Sequence, residues 1–211
     1  MPLENPNIRP GGLREEDDPG KGTNVANHFV FEIGDVETAF SIQSVSKPFV
    51  FALVCEAIGY EAARHQLGVN STGFPFNSLI AVELNDDRTM NPLVNAGAIA
   101  TTSLVPGNTA DEKWERIRDG LSRFAGRELT LSKDVYESES ATNMRNQGIA
   151  HLLASYERLY FDPDGATDIY TRQCSLDVTA HDLAVMAATL ANGGVNPMTG
   201  ERVIVAGVCR R

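Results

Sequence analysis

A serine and a lysine three residues apart, set at the mouth of an apolar helix, constrain this chain more than any other feature. Ser44 and Lys47 lie in Phe40-Ser41-Ile42-Gln43-Ser44-Val45-Ser46-Lys47-Pro48-Phe49, which runs directly into the apolar stretch Phe49-Val50-Phe51-Ala52-Leu53-Val54-Cys55. Residues three apart on a helix share a face. Proline is tolerated in a first helical turn, so Pro48 supports a helix that opens near Ser44. A serine hydroxyl needs a base beside it to act as a nucleophile at neutral pH. A lysine amine serves as that base when burial lowers its pKa. The chain has only four lysines, and Lys21, Lys113 and Lys133 sit in segments that read as solvated. Lys47 alone precedes a long apolar helix.

The rest of the chain supplies a setting for this pair. Its 211 residues suit one large domain or two small ones and can bury a core without staples. A net charge of −10 argues against a nucleic-acid partner and against docking on anionic lipid. Cys55, Cys174 and Cys209 are odd in number and widely spaced, which argues against a disulfide framework or a zinc site. His28, His65, His151 and His181 show no metal-ligand spacing and read as structural or solvent-facing. Nothing resembles a signal peptide, and no stretch approaches the roughly 20 apolar residues that span a membrane. The expected location is the cytoplasm.

Residues 1–27 mix Pro, Gly and acidic residues as a tail does. His28–Ile33 reads as a short strand, with Gly34-Asp35 as a turn. The Ser44 helix is expected to reach Ile58 and end at Gly59, with a further helix over Tyr60–Leu67. Leu79–Leu84 alternates weakly and suggests a strand. Asp111–Phe124 repeats Trp114, Ile117, Leu121 and Phe124 at helical spacing. One long helix is expected over Lys133–Ser155. Residues 156–167 read as a loop and 168–176 as mixed, partly extended chain. Thr179-Ala180-His181-Asp182 is a capping-box pattern that opens a helix over Ala180–Ala191.

Two further groups of polar residues are candidates for binding. In Asn91-Pro92-Leu93-Val94-Asn95-Ala96-Gly97-Ala98, small residues permit close packing around Asn95, which then needs hydrogen-bond partners; alternatively both asparagines cap turns. Glu139 and Asn146, two helical turns apart, share a face that can grip an ammonium and a carboxylate or amide, or that simply faces water.

Taken together, these blocks resemble the bacterial-type glutaminases, a serine-dependent family with a β-lactamase-like fold. Phe40–Lys47 is similar to that family's nucleophile segment, and Asn91–Ala98 to its second block. Ser138-Glu139 with Arg145-Asn146, Tyr170–Ser175 and Leu190–Pro197 are similar to three later ones. The resemblance implies that Ser44 is acylated and that Lys47 is its base. It implies that Asn95, Glu139, Asn146 and Tyr170 line the glutamine site, with Tyr170 also relaying a proton near Ser44. The implied reaction is hydrolysis of glutamine to glutamate and ammonia through a glutamyl-serine ester, without metal or cofactor, in a homodimer or homotetramer. The implied fold is α+β and β-lactamase/transpeptidase-like. Residues 28–58 and 168–211 would form an incomplete α/β sandwich, and 59–167 an inserted helical part.

Against that family, segments expected before about Gly34 and after Arg211 have no counterpart, so the chain reads as truncated at both ends. One alternative is therefore an inactive homologue that only binds glutamine or joins a full-length subunit. Another is a different S-x-x-K acyl hydrolase of β-lactamase type. That type pairs S-x-x-K with S-D-N and K-T-G, and neither partner motif occurs here.

Overall fold

A computed structural model describes residues 30–210; the expected 1–27 tail and residues 28 and 29 lie outside the described residues. In chain order the elements are β1 (Phe40–Ser41), a 3-10 turn (Gln43–Val45), α1 (Ser46–Ile58), α2 (Tyr60–Leu67), α3 (Leu79–Leu84), α4 (Asn95–Leu104) and α5 (Ala110–Ala125). They continue with β2 (Thr130–Leu131), α6 (Lys133–Thr142), α7 (Met144–Ser155), α8 (Pro163–Cys174), β3 (Leu176–Val178), α9 (Ala180–Ala191) and α10 (Ala206–Cys209). The class is α+β, as expected, with a small antiparallel sheet of order β1-β3-β2. Phe40 pairs with Val178, and Leu131 with Leu176.

Local chemistry explains the boundaries. Gly59, with a φ of 86°, ends α1 in a conformation that L-residues avoid. Thr109 caps α5, and Gly126 closes it in the left-handed region. Thr179 and Asp182 form the reciprocal capping box of α9.

Four expectations are corrected. Val30–Ile33 forms no strand, and Phe31 and Ile33 are exposed, because among the described residues β1 has only β3 beside it. Leu79–Leu84 is a helix: the Ser78 side chain accepts from the Ala81 N–H, and the adjacent Ala81 and Val82 are both buried, unlike the alternation of a half-buried strand. The long helix over 133–155 is two helices, broken at Asn143. Residues 163–174 form α8, opened by the Asp162 cap and Pro163 at the first helical position.

The core falls into two clusters. In the first, Phe49, Val50 and Val54 of α1 pack with Ile117, Leu121 and Phe124 of α5 and with β3. In the second, Ala98 and Ile99 of α4 pack with Ile149 and Leu153 of α7. Helix α8 is the seam between them: Ile169 belongs to the first cluster and the adjacent Tyr170 to the second.

Lys113 is also corrected. Its side chain is buried, and its Nζ donates to the carbonyls of Ser103 (2.9 Å) and Val105 (2.5 Å) at the end of α4. A cation there satisfies acceptors that the helix leaves unpaired.

Candidate active site

The site begins where β1 gives way to α1. Ile42 is buried and anchors the chain in the first cluster. Gln43 then takes a φ of 49°, left-handed for a residue that pays for that conformation. Ser44 follows in an exposed 3-10 turn. The turn is tied from below, because Ser46 Oγ donates to the Gln43 carbonyl at 2.7 Å.

Lys47 is only 3% exposed, a rare state for an ammonium group. Its Nζ donates to Asn95 Oδ1 at 2.8 Å and to the Leu93 carbonyl at 3.4 Å, and lies 5.8 Å from the centre of the Phe76 ring. Burial pushes its pKa down, and the nearby Cys174 thiol partly opposes that shift. The helix mouth therefore does to Lys47 what the sequence suggested.

Asn95 opens α4, and its backbone N–H is held by the Phe76 carbonyl at 2.8 Å. Its amide is the hub of the cluster. Oδ1 accepts from Lys47 and from the Tyr170 hydroxyl at 3.4 Å, while Nδ2 donates to Asn146 Oδ1 at 3.0 Å. Of the two readings of Asn95, the interior polar group is the one found. Asn146 is half-buried on α7. Its carbonyl is engaged by Asn95, and its N–H₂ can only donate.

Tyr170 is buried on α8, with its hydroxyl near Ser44 and Cys174. Burial foremost, with Cys174 adding to it, pushes the phenol far above its usual range, so the hydroxyl stays protonated. Burial likewise pushes the Cys174 thiol up to about 11. Glu139 is exposed on α6, and its Oε1 accepts from Gln43 Nε2 at 3.4 Å.

Asn95 Oδ1 is the acceptor that Lys47 and Tyr170 share, and the Tyr170 hydroxyl lies near Ser44. Ser44, Lys47, Asn95, Asn146 and Tyr170 thus share one cluster, and Gln43 links Glu139 to it. Gln43, Ser46, Gln173 and Cys174 also belong to this neighbourhood. They stood inside the motif blocks, and nothing in their spacing marked them. Elsewhere, His181 Nδ1 lies 2.5 Å from Glu32 Oε1, and these two with Glu37 group potential metal-ligand atoms within 4.8 Å. Spacing along the chain could not reveal that grouping.

The known proteins similar to this chain are glutaminases. The glutaminase family model matches residues 18–211, so the family's pattern begins before Gly34, where none was expected. Glutaminase 2 of Yersinia pestis is 63% identical over 188 residues, 89% of this chain and 54% of its own length. A glutaminase of Brucella abortus is 55% identical over 177 residues, 84% of this chain and 56% of its own length. Among solved structures, a probable glutaminase superposes with a TM-score of 0.83 at 44% identity, covering 84% of this chain and 58% of the other. A Bacillus glutaminase gives 0.80 at 31% identity, covering 84% and 60%. The fold is therefore that of the solved glutaminases, an α+β, β-lactamase-like architecture. The chain belongs to the glutaminase family, and it spans about half the length of the curated relatives it matches.

Proposed function

We propose that this protein hydrolyses L-glutamine to L-glutamate and ammonia, with Ser44 as the nucleophile. In this reading Ser44 Oγ attacks the side-chain amide carbon of glutamine and forms an ester as the C–N bond breaks. The ammonia leaves with the proton taken from Ser44. Water then cleaves the ester and restores the hydroxyl. Lys47 is the base, held ready by the burial that favours its neutral amine. The protonated Tyr170 hydroxyl, near Ser44, is the group that exchanges a proton with it, while Asn95 Oδ1 accepts from both Tyr170 and Lys47 and orients the two without carrying a proton. Glu139 takes the substrate ammonium, while Asn95 and Asn146 supply amides for its carboxylate. No metal or cofactor enters the scheme.

One observation carries this reading: a nearly inaccessible lysine amine, 2.8 Å from a buried asparagine, beside an exposed serine. The family match sets aside a β-lactamase-type substrate. We further place the protein in the cytoplasm as a homodimer or homotetramer; among the described residues no helix is long and apolar enough to cross a membrane. Of the division into an α/β part (28–58 and 168–211) and a helical part (59–167), the second core cluster favours a separate helical part, whereas α5 packs with α1 and β2 joins the sheet, so these two elements of 59–167 go with the α/β part. Apart from Tyr170 and Cys174, the buried members of the second cluster lie between Leu67 and Ala166.

The test is ammonia release from glutamine by the 211-residue chain, with Ser44→Ala in parallel. Release that is lost in the variant supports the reading. Equal release from both proteins, or glutamine binding without any release, rejects it for this chain.

A further inference from the structure

Three polar side chains beneath the site take no part in the chemistry above, although they are among the least accessible in the molecule. Thr102 on α4, Gln173 on α8 and Ser46 at the start of α1 are 0%, 1% and 0% exposed. They form one continuous chain. Thr102 Oγ1 donates to Gln173 Oε1 at 3.1 Å, Gln173 Nε2 donates to Ser46 Oγ at 3.1 Å, and Ser46 Oγ donates to the Gln43 carbonyl at 2.7 Å. Each of these bonds points the same way, from Thr102 through Gln173 and Ser46 to the Gln43 carbonyl, which also accepts from the Ser46 backbone N–H. Were the Gln173 amide reversed, its oxygen would face Ser46, whose single proton is already committed to Gln43.

The chain ends on the one peptide group that presents the nucleophile. The Gln43 carbonyl and the Ser44 N–H belong to the same planar unit and point in opposite directions. Holding the carbonyl therefore aims the Ser44 N–H as well as the side chain that follows it. Gln43 also has the left-handed φ of 49°, a conformation that persists only where its surroundings over-determine it. Simple burial does not call for this arrangement, since a valine at position 102 would fill the same space with no hydroxyl to satisfy.

We propose that Thr102 and Gln173 are positioning residues. Through Ser46 they lock the Gln43–Ser44 peptide, so that Ser44 Oγ meets Tyr170 and the Ser44 N–H faces the oxygen that becomes negative during acylation. The proposal rests on the reading of Ser44 as nucleophile. It assigns the preorganisation of that nucleophile to a relay that links three helices.

The experiment uses the whole 211-residue chain and a fluorophosphonate probe, whose reaction with serine develops a similar oxyanion. The rate of modification at Ser44 is read by mass spectrometry in the unchanged chain and in Thr102→Val, Thr102→Ser and Gln173→Met. Thr102→Val and Gln173→Met are expected to slow labelling roughly tenfold or more, the range in which misaimed groups cost rate. Thr102→Ser, which keeps the donor, is expected to restore it. Where glutamine turnover is measurable, kcat falls while KM stays. Labelling of Thr102→Val at the unchanged rate overturns the relay, and so does equal slowing by Thr102→Ser, which would mean packing alone. Failure of Ser44 to label in the unchanged chain overturns the nucleophile reading first, and the relay with it. Thermal melts check that each variant folds, and Gln173→Met carries the comparison if Thr102→Val does not.

Discussion

Replacing Asn95 by aspartate tests whether Lys47 is the base. The change keeps the shape of the side chain and puts a carboxylate where Lys47 Nζ now donates at 2.8 Å to a neutral carbonyl, in a position only 8% exposed. A hydrogen bond to a charged group contributes about 1.5–3 kcal/mol, against about 0.5–1.5 for a neutral pair. The ammonium form of Lys47 therefore gains about 1–2 kcal/mol from this bond alone. At about 1.4 kcal/mol per factor of ten, the fraction of free amine falls roughly 5–30-fold at a fixed pH. The sign follows directly: burial now lowers the Lys47 pKa, and the new carboxylate raises it. The assay is Ser44 modification or ammonia release, followed from about pH 6 to about pH 10, a span chosen to bracket a lowered lysine. At neutral pH the variant should be slower by that factor, and the gap should close as the medium becomes alkaline and strips the ammonium. Asn146→Ala is the control, because it removes the partner of Asn95 Nδ2 without adding charge. A loss in Asn95→Asp that is the same at every pH would refute the reasoning and leave Asn95 as a contact for shape or substrate only.

Two other perturbations follow from the packing. Asp182→Asn is expected to lower stability by about 2–3 kcal/mol, since the buried carboxylate both closes the α9 capping box and accepts two bonds from Arg127. Burial opposes its ionisation, but the Arg127 and Thr179 bonds prevail and hold its pKa down. This stabilisation is thus complete above about pH 5 and fades as the pH falls through the lowered folded value; melts at neutral and acid pH check it, and an unchanging gap would count against it. Gly97→Ala should cost about 1–3 kcal/mol or more, because its Cβ would meet the Asn91 carbonyl oxygen at 1.9 Å, backbone that cannot swing aside. It should also disturb Leu93 and Asn95 and slow Ser44 modification; a normal rate would show that the 91–95 turn does not hold the lysine.

Much of this was legible in the chain because some elements carry their own punctuation. Helix α2 and helix α9 have the expected limits, and α5 is a residue longer at each end, because a glycine or a capping box marks their ends. Helix α3 reads as a strand in the sequence because a six-residue segment with five apolar residues does not separate the two periods, and the deciding cap, Ser78, is one hydroxyl. In α8 the residues Asp162, Pro163 and Gly165 look like loop composition, but in three dimensions they are a cap, a first turn and a helical glycine. Lys113 was read as solvated because its sequence neighbours are charged; its actual partners are carbonyls eight and ten residues away. In the site, Ser44 and Lys47 follow from local spacing. The Asn95–Asn146 and Tyr170–Asn95 contacts span 51 and 75 positions, and no local pattern could pair them. Thr102 and Gln173, 71 apart, carried no signal at all.

The two core clusters bear on the chemistry through this seam. Lys47 is held by α1, which packs into the first cluster, while its acceptor Asn95 opens α4, which packs into the second. Helix α8 joins them, with Ile169 on one side, Tyr170 on the other and Gln173 tied to both α4 and α1. A close-packed interior transmits small displacements instead of absorbing them. The burial that lowers the lysine pKa and, in the proposed relay, the aim of the serine are therefore set by the same helix contacts. Only Ser44 and Glu139 stand exposed among the six residues singled out from the sequence. In the proposed reaction these are the two groups that meet the substrate first, Ser44 at its reacting carbon and Glu139 at its ammonium. The four that tune them are buried or half-buried, where a low dielectric makes each hydrogen bond count for more.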